Sequence, residues 1–203
     1  MKLLFFDTET TDINDKIGQI CQLSYIIVNT DTRKIYGKNY FFSVKGMSEG
    51  AFKTHGLSVE KLKELSNGKC FLNVAKEIHE DFVNVDYLIG HNVTFDIKFI
   101  NREFSRANLT PLTNKYFCSM RYYTDICKLP KARGIGYKWP KLDDVIKFLK
   151  IDSSQIEALC NKLFEGASAY HDSRFDIAGT YLIVYLGIKK VYIPKGYFTK
   201  KEA

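Results

Sequence analysis

The sequence LLFFDTETTD, residues 3–12, runs from four apolar side chains directly into two carboxylates, Asp7 and Glu9. Residues 2–6 have the apolar composition of a buried strand. Side chains at positions i and i+2 of a strand point to one face, so both carboxylates project together from its C-terminal end. Two acids held close in a partly buried place repel each other, and a hard divalent cation relieves that repulsion. Because two acids separated by one residue also occur by chance, the prediction of a metal site requires further acids elsewhere in the chain.

The segments around this strand predict an α/β domain. Residues 19–45 contain two long β-rich segments joined by the turn-like NTDTRK, which predicts an antiparallel meander of three strands. Residues 70–84 then have helical spacing, and the apolar strand VDYLIG follows. Further elements are a helix in TFDIKFINREFSRAN, a strand in KYFCSM, and helices in KWPKLDDVIKFLKI and SRFDIAGTYLIVYLGI. No repeat or linker divides the chain, so residues 1–203 are expected to form a single domain.

Composition limits the classes of protein that fit. The formal charge of +7 suits a nucleic-acid partner, and it equally suits a surface that is charged only for solubility. The first apolar run is too short for a signal peptide, and no later run approaches the ~20 residues of a membrane span. The five cysteines form no CxxC pair and predict neither a disulfide framework nor a zinc site. The protein is therefore expected to be cytoplasmic.

Further acids follow later in the chain. GHNVTFDIKFI places Asp96 near the start of a helix that directly follows an apolar strand, where His91 and Asn92 are expected to fix the turn. AYHDSRFDIAGTY places His171 just before a helix and Asp176 about one turn into it. An acid inside a largely apolar helix is costly unless it is paired or bound to a metal. Taken singly, each of these residues also has an ordinary structural explanation, such as helix capping or solvation.

Three segments, FFDTETTD, HNVTFDIKF and HDSRFD, resemble in order the three motifs of the DnaQ-like (DEDDh) 3′–5′ exonucleases. The third has the H-x-x-x-x-D spacing of the histidine subgroup, and KTHGLS also resembles a segment of the family. The resemblance is strongest to the proofreading epsilon subunits of bacterial DNA polymerase III and covers nearly the whole chain. It implies an RNase H-like fold: a mixed five-stranded sheet, with its first three strands antiparallel, flanked by helices.

The same resemblance implies a site for two divalent cations, Mg²⁺ or Mn²⁺, that hydrolyses phosphodiester bonds. The implied metal ligands are Asp7, Glu9, Asp96 and Asp176, and His171 is the implied general base. The implied contacts to the terminal nucleotide are Thr8, Thr10, Thr11, Asp12, His55 and Leu57. Asp12 departs from the family pattern, which usually has glycine at that position.

The implied activity is release of nucleoside monophosphates from 3′ ends of DNA, single-stranded or frayed, in proofreading or repair. Trimming of RNA, as by RNase T or oligoribonuclease, would use the same catalytic residues and stays open. A nucleic-acid-binding module without catalysis fits the intact motifs less well. The epsilon proteins carry a polymerase-binding C-terminal extension, and this chain ends soon after its last expected helix. Association with a DNA polymerase is therefore left open and is not favoured, and a monomer is expected.

One further segment stands apart from these motifs. KLPKARGIGYKWP, residues 128–140, combines Gly, Pro and basic residues and is expected to form an exposed loop. Its cations and Trp139 would suit nucleic acid, because aromatic rings stack on bases while cations follow phosphates. A solvated loop that is anchored by one aromatic side chain would have the same sequence.

Overall fold

A mixed five-stranded sheet forms the centre of the structure, a computed structural model that describes residues 1–165 and 172–198. Its strands are β1 (Lys2–Thr10), β2 (Ile20–Asn29), β3 (Lys34–Phe41), β4 (Tyr87–Gly90) and β5 (Lys115–Cys118). Their order across the sheet is β3-β2-β1-β4-β5. β1 to β3 pair antiparallel, whereas β4 runs parallel to β1 and β5 parallel to β4. The predicted antiparallel meander is confirmed, and β1 is the central strand.

The described residues form eight α-helices. They are α1 (Glu49–His55), α2 (Val59–Leu65), α3 (Ala75–Val83), α4 (Val93–Arg106), α5 (Ser119–Cys127), α6 (Leu142–Leu149), α7 (Ser153–Leu163) and α8 (Ser173–Lys189). A single 3₁₀ turn, Phe71–Asn73, precedes α3. Helices α3, α4, α6 and α8 are the ones that hydrophobic spacing predicts. No helix within residues 1–165 and 172–198 has the length and apolar content that crossing a membrane requires.

Helices α1, α2, α5 and α7 are not predicted by hydrophobic spacing in the sequence. α1 buries none of its residues and α2 buries only Leu62, so neither helix shows an apolar period. Both are instead started by serine caps, and α1 ends at Gly56 in the left-handed conformation. α7 does carry a sequence signal, because Asp152 and Gln155 form a capping box at its start.

Both faces of the sheet are covered, and β1 belongs to both cores. Leu3 and Phe5 pack in the core shared with α5 to α8, whereas Leu4 and Phe6 pack in the core shared with α3 and α4. This arrangement explains the continuous apolar run at the start of the chain, which is typical of a strand that is buried on both sides. Because side chains alternate, Asp7 continues the row of Leu3 and Phe5 and faces α8.

The strand-to-helix turn after β4 is rigidly held. Asn92 adopts a left-handed conformation with φ 71°, and α4 begins directly after it. His91 Nε2 donates to the Pro140 carbonyl oxygen at 3.0 Å, and Nδ1 lies 3.0 Å from the Ser119 hydroxyl. Burial of the ring lowers the pKa of His91 to about 4, so the imidazole is neutral at pH 7. The predicted structural role of His91 and Asn92 is confirmed.

Candidate metal centre

Three carboxylates meet where β1 ends. Three carboxylate oxygens, one each from Asp7, Glu9 and Asp176, lie within 4.8 Å of one another. β1 supplies the first two from one face, and α8 packs on that face and supplies Asp176 from its first turn. The acids of β1 and the acid of α8 therefore form a single cluster only because α8 packs on the sheet.

Asp96 approaches the same strand end from α4, on the other side of the sheet. Thr8 lies between Asp7 and Glu9 and points towards α4, and its hydroxyl donates to Asp96 Oδ1 at 2.7 Å. The Thr8 backbone N–H donates to the same oxygen at 3.1 Å. Asp96 is buried, and it lies outside the group of three acids within 4.8 Å. The threonine that was expected to contact nucleotide thus holds a carboxylate in this structure.

The electrostatics of the cluster favour a cation. Burial raises the pKa of Asp7 well above its usual value, and the charges of Asp96 and Asp176 raise it further. Burial, followed by Asp176 and Asp96, raises the pKa of Glu9 to about 9. Burial raises the pKa of Asp96 to about 7, although its hydrogen bonds with Thr8 oppose the shift. Across the described part of the chain, no lysine or arginine forms a salt bridge with Asp7, Glu9 or Asp96. Closely packed oxygen acceptors without a protein cation suit hard divalent ions.

The loop after β1 folds back against the strand end. The Thr10 hydroxyl donates to the Asp12 carbonyl oxygen at 2.9 Å. The Thr11 backbone N–H donates to the Gln19 carbonyl oxygen at 2.9 Å, and the Gln19 backbone N–H donates to Thr11 Oγ1 at 2.9 Å. Asp12 Oδ1 accepts from the Asn14 N–H at 2.9 Å, and Asp12 does not have a positive φ. The backbone at position 12 therefore does not require glycine.

The segment around His55 reaches this same strand end. His55 Nδ1 accepts from the Leu57 N–H at 3.1 Å, so Nε2 carries the proton and donates to the Thr10 carbonyl oxygen at 3.3 Å. Leu57 is partly buried and packs against the small apolar cluster of Cys21, Val44 and Leu62. The structure thus brings the His55–Leu57 segment to the end of β1 at Thr10, whereas contact of these residues with a nucleotide stays a prediction. A bulge in β2 lies alongside, because Glu9 pairs with Gln22 and Thr10 pairs with Ile20.

A polar network fixes the start of α8, and the sequence motifs do not predict it. Asp172 caps the helix, because its Oδ1 accepts from the Arg174 N–H at 2.9 Å. The Arg174 guanidinium also donates to Asp172 Oδ2 at 2.6 Å, and Gln22 Nε2 donates to Asp172 Oδ1 at 3.0 Å. The hydroxyls of Ser24 and Ser173 lie 2.6 Å apart. An aspartate just before a helix is a capping signal in the sequence, but its partners on β2 are not.

His171 lies outside the described residues, so its role as general base stays a prediction. The structure describes Asp172, the next residue, at the N-cap of α8.

The comparison with protein families decides the assignment. The RNase_T family model, which describes exonucleases, matches residues 4–176, a span that begins within β1 and ends at the acid of α8. The chain belongs to this exonuclease family. The match includes every residue of the candidate centre described above.

The curated relatives of this exonuclease include epsilon subunits of DNA polymerase III. The DNA polymerase III subunit epsilon of Rickettsia conorii is 32% identical over 161 residues, which are 76% of this chain and 64% of that protein. The subunit epsilon of Pasteurella multocida is 27% identical over 158 residues, 75% of this chain and 59% of that protein. The chain thus spans less than two thirds of the length of these curated relatives.

The solved structures show the fold. Exonuclease I of E. coli in complex with a dT13 oligonucleotide has a TM-score of 0.71 at 18% identity, over 94% of this chain and 42% of that chain. The apo form of Exonuclease I has a TM-score of 0.68 at 16% identity, over 93% of this chain and 42% of that chain. The exonuclease chain has the RNase H-like fold that the motifs predict.

Proposed function

We propose that this chain is a metal-dependent 3′–5′ exonuclease that releases nucleoside monophosphates from 3′ ends of DNA. The observation that carries the proposal is the convergence of Asp7, Glu9 and Asp176 at one strand end, with buried Asp96 beside them. Membership of the exonuclease family and the similarity to epsilon subunits support it. The DNA-bound Exonuclease I structure supports single-stranded DNA as the substrate class.

Asp7, Glu9, Asp96 and Asp176 would hold two divalent cations. When bound, such cations lower the pKa of water and stabilise the charge that develops on a phosphate and its leaving oxygen. The chain's own contribution is to hold the four ligands in fixed positions relative to one another. β1 aligns Asp7 with Glu9, Thr8 orients Asp96 by two hydrogen bonds, and the capped start of α8 sets the position of Asp176.

His171 would accept the proton that the attacking water loses. An imidazole with an ordinary pKa near 6.5 is mostly neutral above pH 7 and can accept a proton. Asp172 Oδ1 caps α8 and fixes the backbone immediately after His171. We expect His171→Ala to lose most turnover and to retain DNA binding. Near-normal release of mononucleotides by this variant would remove the residue from the mechanism.

The loop residues at the end of β1 would hold the terminal nucleotide. Thr10, Thr11 and Asp12 directly follow Glu9 at the end of β1, and His55 fixes the backbone of this segment through the Thr10 carbonyl oxygen. Leu57 would contact the terminal base. Thr8 would contribute indirectly, because its hydroxyl is engaged by Asp96.

The proposal is tested with end-labelled single-stranded DNA, 3′-mismatched duplex DNA and a short RNA. Each is incubated with Mg²⁺, with Mn²⁺ and with EDTA, and the released mononucleotides are counted. We expect metal-dependent loss from the 3′ end, fastest on the DNA substrates. Faster loss of RNA would identify the RNA-trimming alternative. No metal-dependent release from any substrate, with binding retained, would overturn the proposed activity.

The Asp7→Asn variant is the control for contaminating nucleases. Its side chain keeps the size of Asp7 and loses the charge that a cation needs. Activity that survives this substitution does not come from the candidate centre.

A further inference from the structure

Residues 128–141, here called the basic loop, carry a concentrated positive charge. Five cations lie in this stretch, and no acid does: Lys128, Lys131, Arg133, Lys138 and Lys141. A bridge between Pro130 and Tyr137 closes the loop, and Gly134 and Gly136 form its tip with positive φ angles of 83° and 95°. The loop is therefore an ordered projection of the surface.

The basic loop is fastened to the edge of the sheet that carries the metal centre. β4 is the neighbour of β1 in the sheet and runs parallel to it, with Ile89 beside Phe5, and it ends at Gly90, directly before His91. His91 Nε2 donates to the Pro140 carbonyl oxygen at 3.0 Å. The end of the loop is thus attached to the C-terminal end of the strand next to β1, the strand that supplies Asp7 and Glu9.

The charges of the basic loop are available to a partner. Among the described residues, Lys138 pairs with Asp144 at 3.7 Å, and no carboxylate lies within salt-bridge distance of the other four cations of the loop. Trp139 is 62% exposed. So exposed an indole does not anchor the loop, which removes the main structural explanation for an aromatic residue there. Exposed cations beside an exposed ring suit a polymer of phosphates and flat bases.

We propose that the basic loop binds the single strand 5′ of the terminal nucleotide. Lys131 and Arg133 contact backbone phosphates, and Trp139 stacks on a base. The inference rests on the proposed function, because the metal centre fixes where the 3′ end lies. The loop increases affinity for substrates longer than a few nucleotides and takes no part in bond cleavage.

Trp139 is the sole tryptophan of the chain, so its fluorescence reports on this loop alone. The full chain is titrated in EDTA, which prevents turnover, with dT3 and with dT12, and binding is followed in parallel by anisotropy of end-labelled oligonucleotide. We expect dT12 to quench the fluorescence, and dT3, which offers the loop fewer phosphates and bases, to quench it less. Binding of dT12 without a change in fluorescence, or no binding of dT12, would overturn the proposal.

Kinetics test the cations separately. The double variant Lys131→Gln/Arg133→Gln is compared with Arg33→Gln/Lys34→Gln, which removes the same charge from the turn between β2 and β3. Lys34 pairs with Asn29, which pairs with Lys2, so this control lies at the opposite end of β1. We expect the loop variant to raise KM for dT12 about tenfold with kcat unchanged. The slope of log KM against log salt should fall by about 1.4, because each phosphate that the loop no longer neutralises lowers it by ~0.7.

Equal effects of the two double variants would show that only net charge matters and would overturn the proposal. A fall in kcat with KM unchanged would also overturn it, because the loop would then act on the chemistry. Failure of the proposed nuclease activity looks different: no mononucleotide is released, while dT12 still quenches Trp139. Trp139→Phe should retain most of the affinity for dT12, and Trp139→Ala should lose more of it, because only the former keeps an aromatic ring.

Discussion

The raised pKa of a single residue, Glu9, shows that the candidate centre lowers the stability of the metal-free fold. In the metal-free chain its pKa is raised to about 9, first by burial and then by the charges of Asp176 and Asp96. An ordinary glutamate at the surface has no such penalty. The arrangement of acids therefore opposes folding unless protons or cations neutralise it, which is the behaviour of a binding site.

The Glu9→Gln variant tests this cost. Glutamine is neutral without a bound proton, whereas folded Glu9 must take up a proton that the unfolded chain releases at pH 7. The substitution should therefore raise the melting temperature of the metal-free protein at this pH. The same change should lower mononucleotide release by on the order of 10² or more, as is typical when a transition-state charge loses its stabilising group. It should also abolish stabilisation by Mg²⁺. Calorimetry and the 3′-end assay measure these effects.

Glu49→Gln is the matched control, because Glu49 is exposed and pairs with Lys53 on α1. This variant should change neither activity nor the response to Mg²⁺. A metal-free Glu9→Gln protein that is less stable than the parent would contradict the account of the cluster.

The pH dependence of stability follows from the same residue. The pKa of Glu9 is 4.5 when unperturbed and about 9 when folded, so the folded state holds a proton that the unfolded state releases between these values. Metal-free stability should therefore fall as the pH rises from about 5 to about 9. Mg²⁺ must displace that proton, so its stabilising effect should grow over the same range. Melting temperatures in EDTA and in Mg²⁺ test both slopes, and both should flatten in Glu9→Gln.

At the scale of elements, the centre depends on two helices that approach β1 from opposite faces. α4 brings Asp96 to Thr8, and α8 brings Asp176 to Asp7. Each helix has its own polar attachment to the sheet. Thr8 holds the start of α4, and Asp172 with Gln22 holds the start of α8. Loss of either attachment should disturb the centre without removing a ligand.

The Thr8→Val variant tests the attachment of α4. Valine has the shape of threonine, but its side chain cannot donate to Asp96, and only the backbone N–H of residue 8 still does. The variant should therefore weaken Mg²⁺ binding by about 10-fold to 100-fold. Loss of the buried hydrogen bond should also cost about 1–3 kcal/mol of stability. Thr8→Ser keeps the hydroxyl and should restore most of the Mg²⁺ affinity. Equal Mg²⁺ affinity in both variants, measured by calorimetric titration, would rule out the hydrogen bond as the cause.

The Asp172→Asn variant tests the attachment of α8. Asparagine can still cap the helix, but the guanidinium of Arg174 loses its counter-charge, and Arg174 is only 8% exposed. Breaking a fully buried pair costs ~3–5 kcal/mol, and we expect about 2–3 kcal/mol for this partly solvated one. kcat should fall as well, because the position of Asp176 depends on the start of α8.

Asp152→Asn is the control for that experiment. Asp152 caps α7 in the same way, through the Ser154 N–H, and is exposed. Its substitution should cost less than about 1 kcal/mol in urea unfolding and leave kcat unchanged. If Asp172→Asn and Asp152→Asn lower the free energy of unfolding equally, the ion pair between Asp172 and Arg174 contributes nothing measurable to stability.

At the scale of the whole molecule, two apolar layers share one sheet. Neighbouring residues of β2 divide between them: Ile26 packs with α8, and Ile27 packs with α3. Opening either layer exposes the face of β1 and β2 that the layer covers. Because both layers pack on the same strands, we expect them to unfold together.

The variants Ile26→Val and Ile27→Val test whether the layers unfold together. Each removes one buried methylene group from a different layer and should cost about 0.5–1.5 kcal/mol. Calorimetry in EDTA should show a single transition for the parent and for both variants, shifted to lower temperature. Two resolved transitions, of which only one moves in each variant, would show that the layers are independent.

Sequence predicts best those features whose signal is local. The run before Asp7 predicts β1 because strand alternation and apolar composition can be read from adjacent residues. The acids of all three motifs could be identified for the same reason, and so could the amphipathic α3 and α4. Helices α1 and α2 could not be predicted from periodicity, because only Leu62 in them is buried.

The tertiary structure decided the relations between distant segments. Gln22 and Asp172 are 150 residues apart in sequence, and nothing local marks them as partners. The same holds for Thr8 with Asp96, and for His91 with Pro140, which attaches the basic loop to the turn after β4. By itself the sequence determined which acids are present and that Asp7 and Glu9 share one face of β1, because backbone geometry fixes side-chain direction. Their convergence was decided by the packing of α4 and α8 on opposite faces of the sheet, since only burial of both apolar layers sets the distances between them.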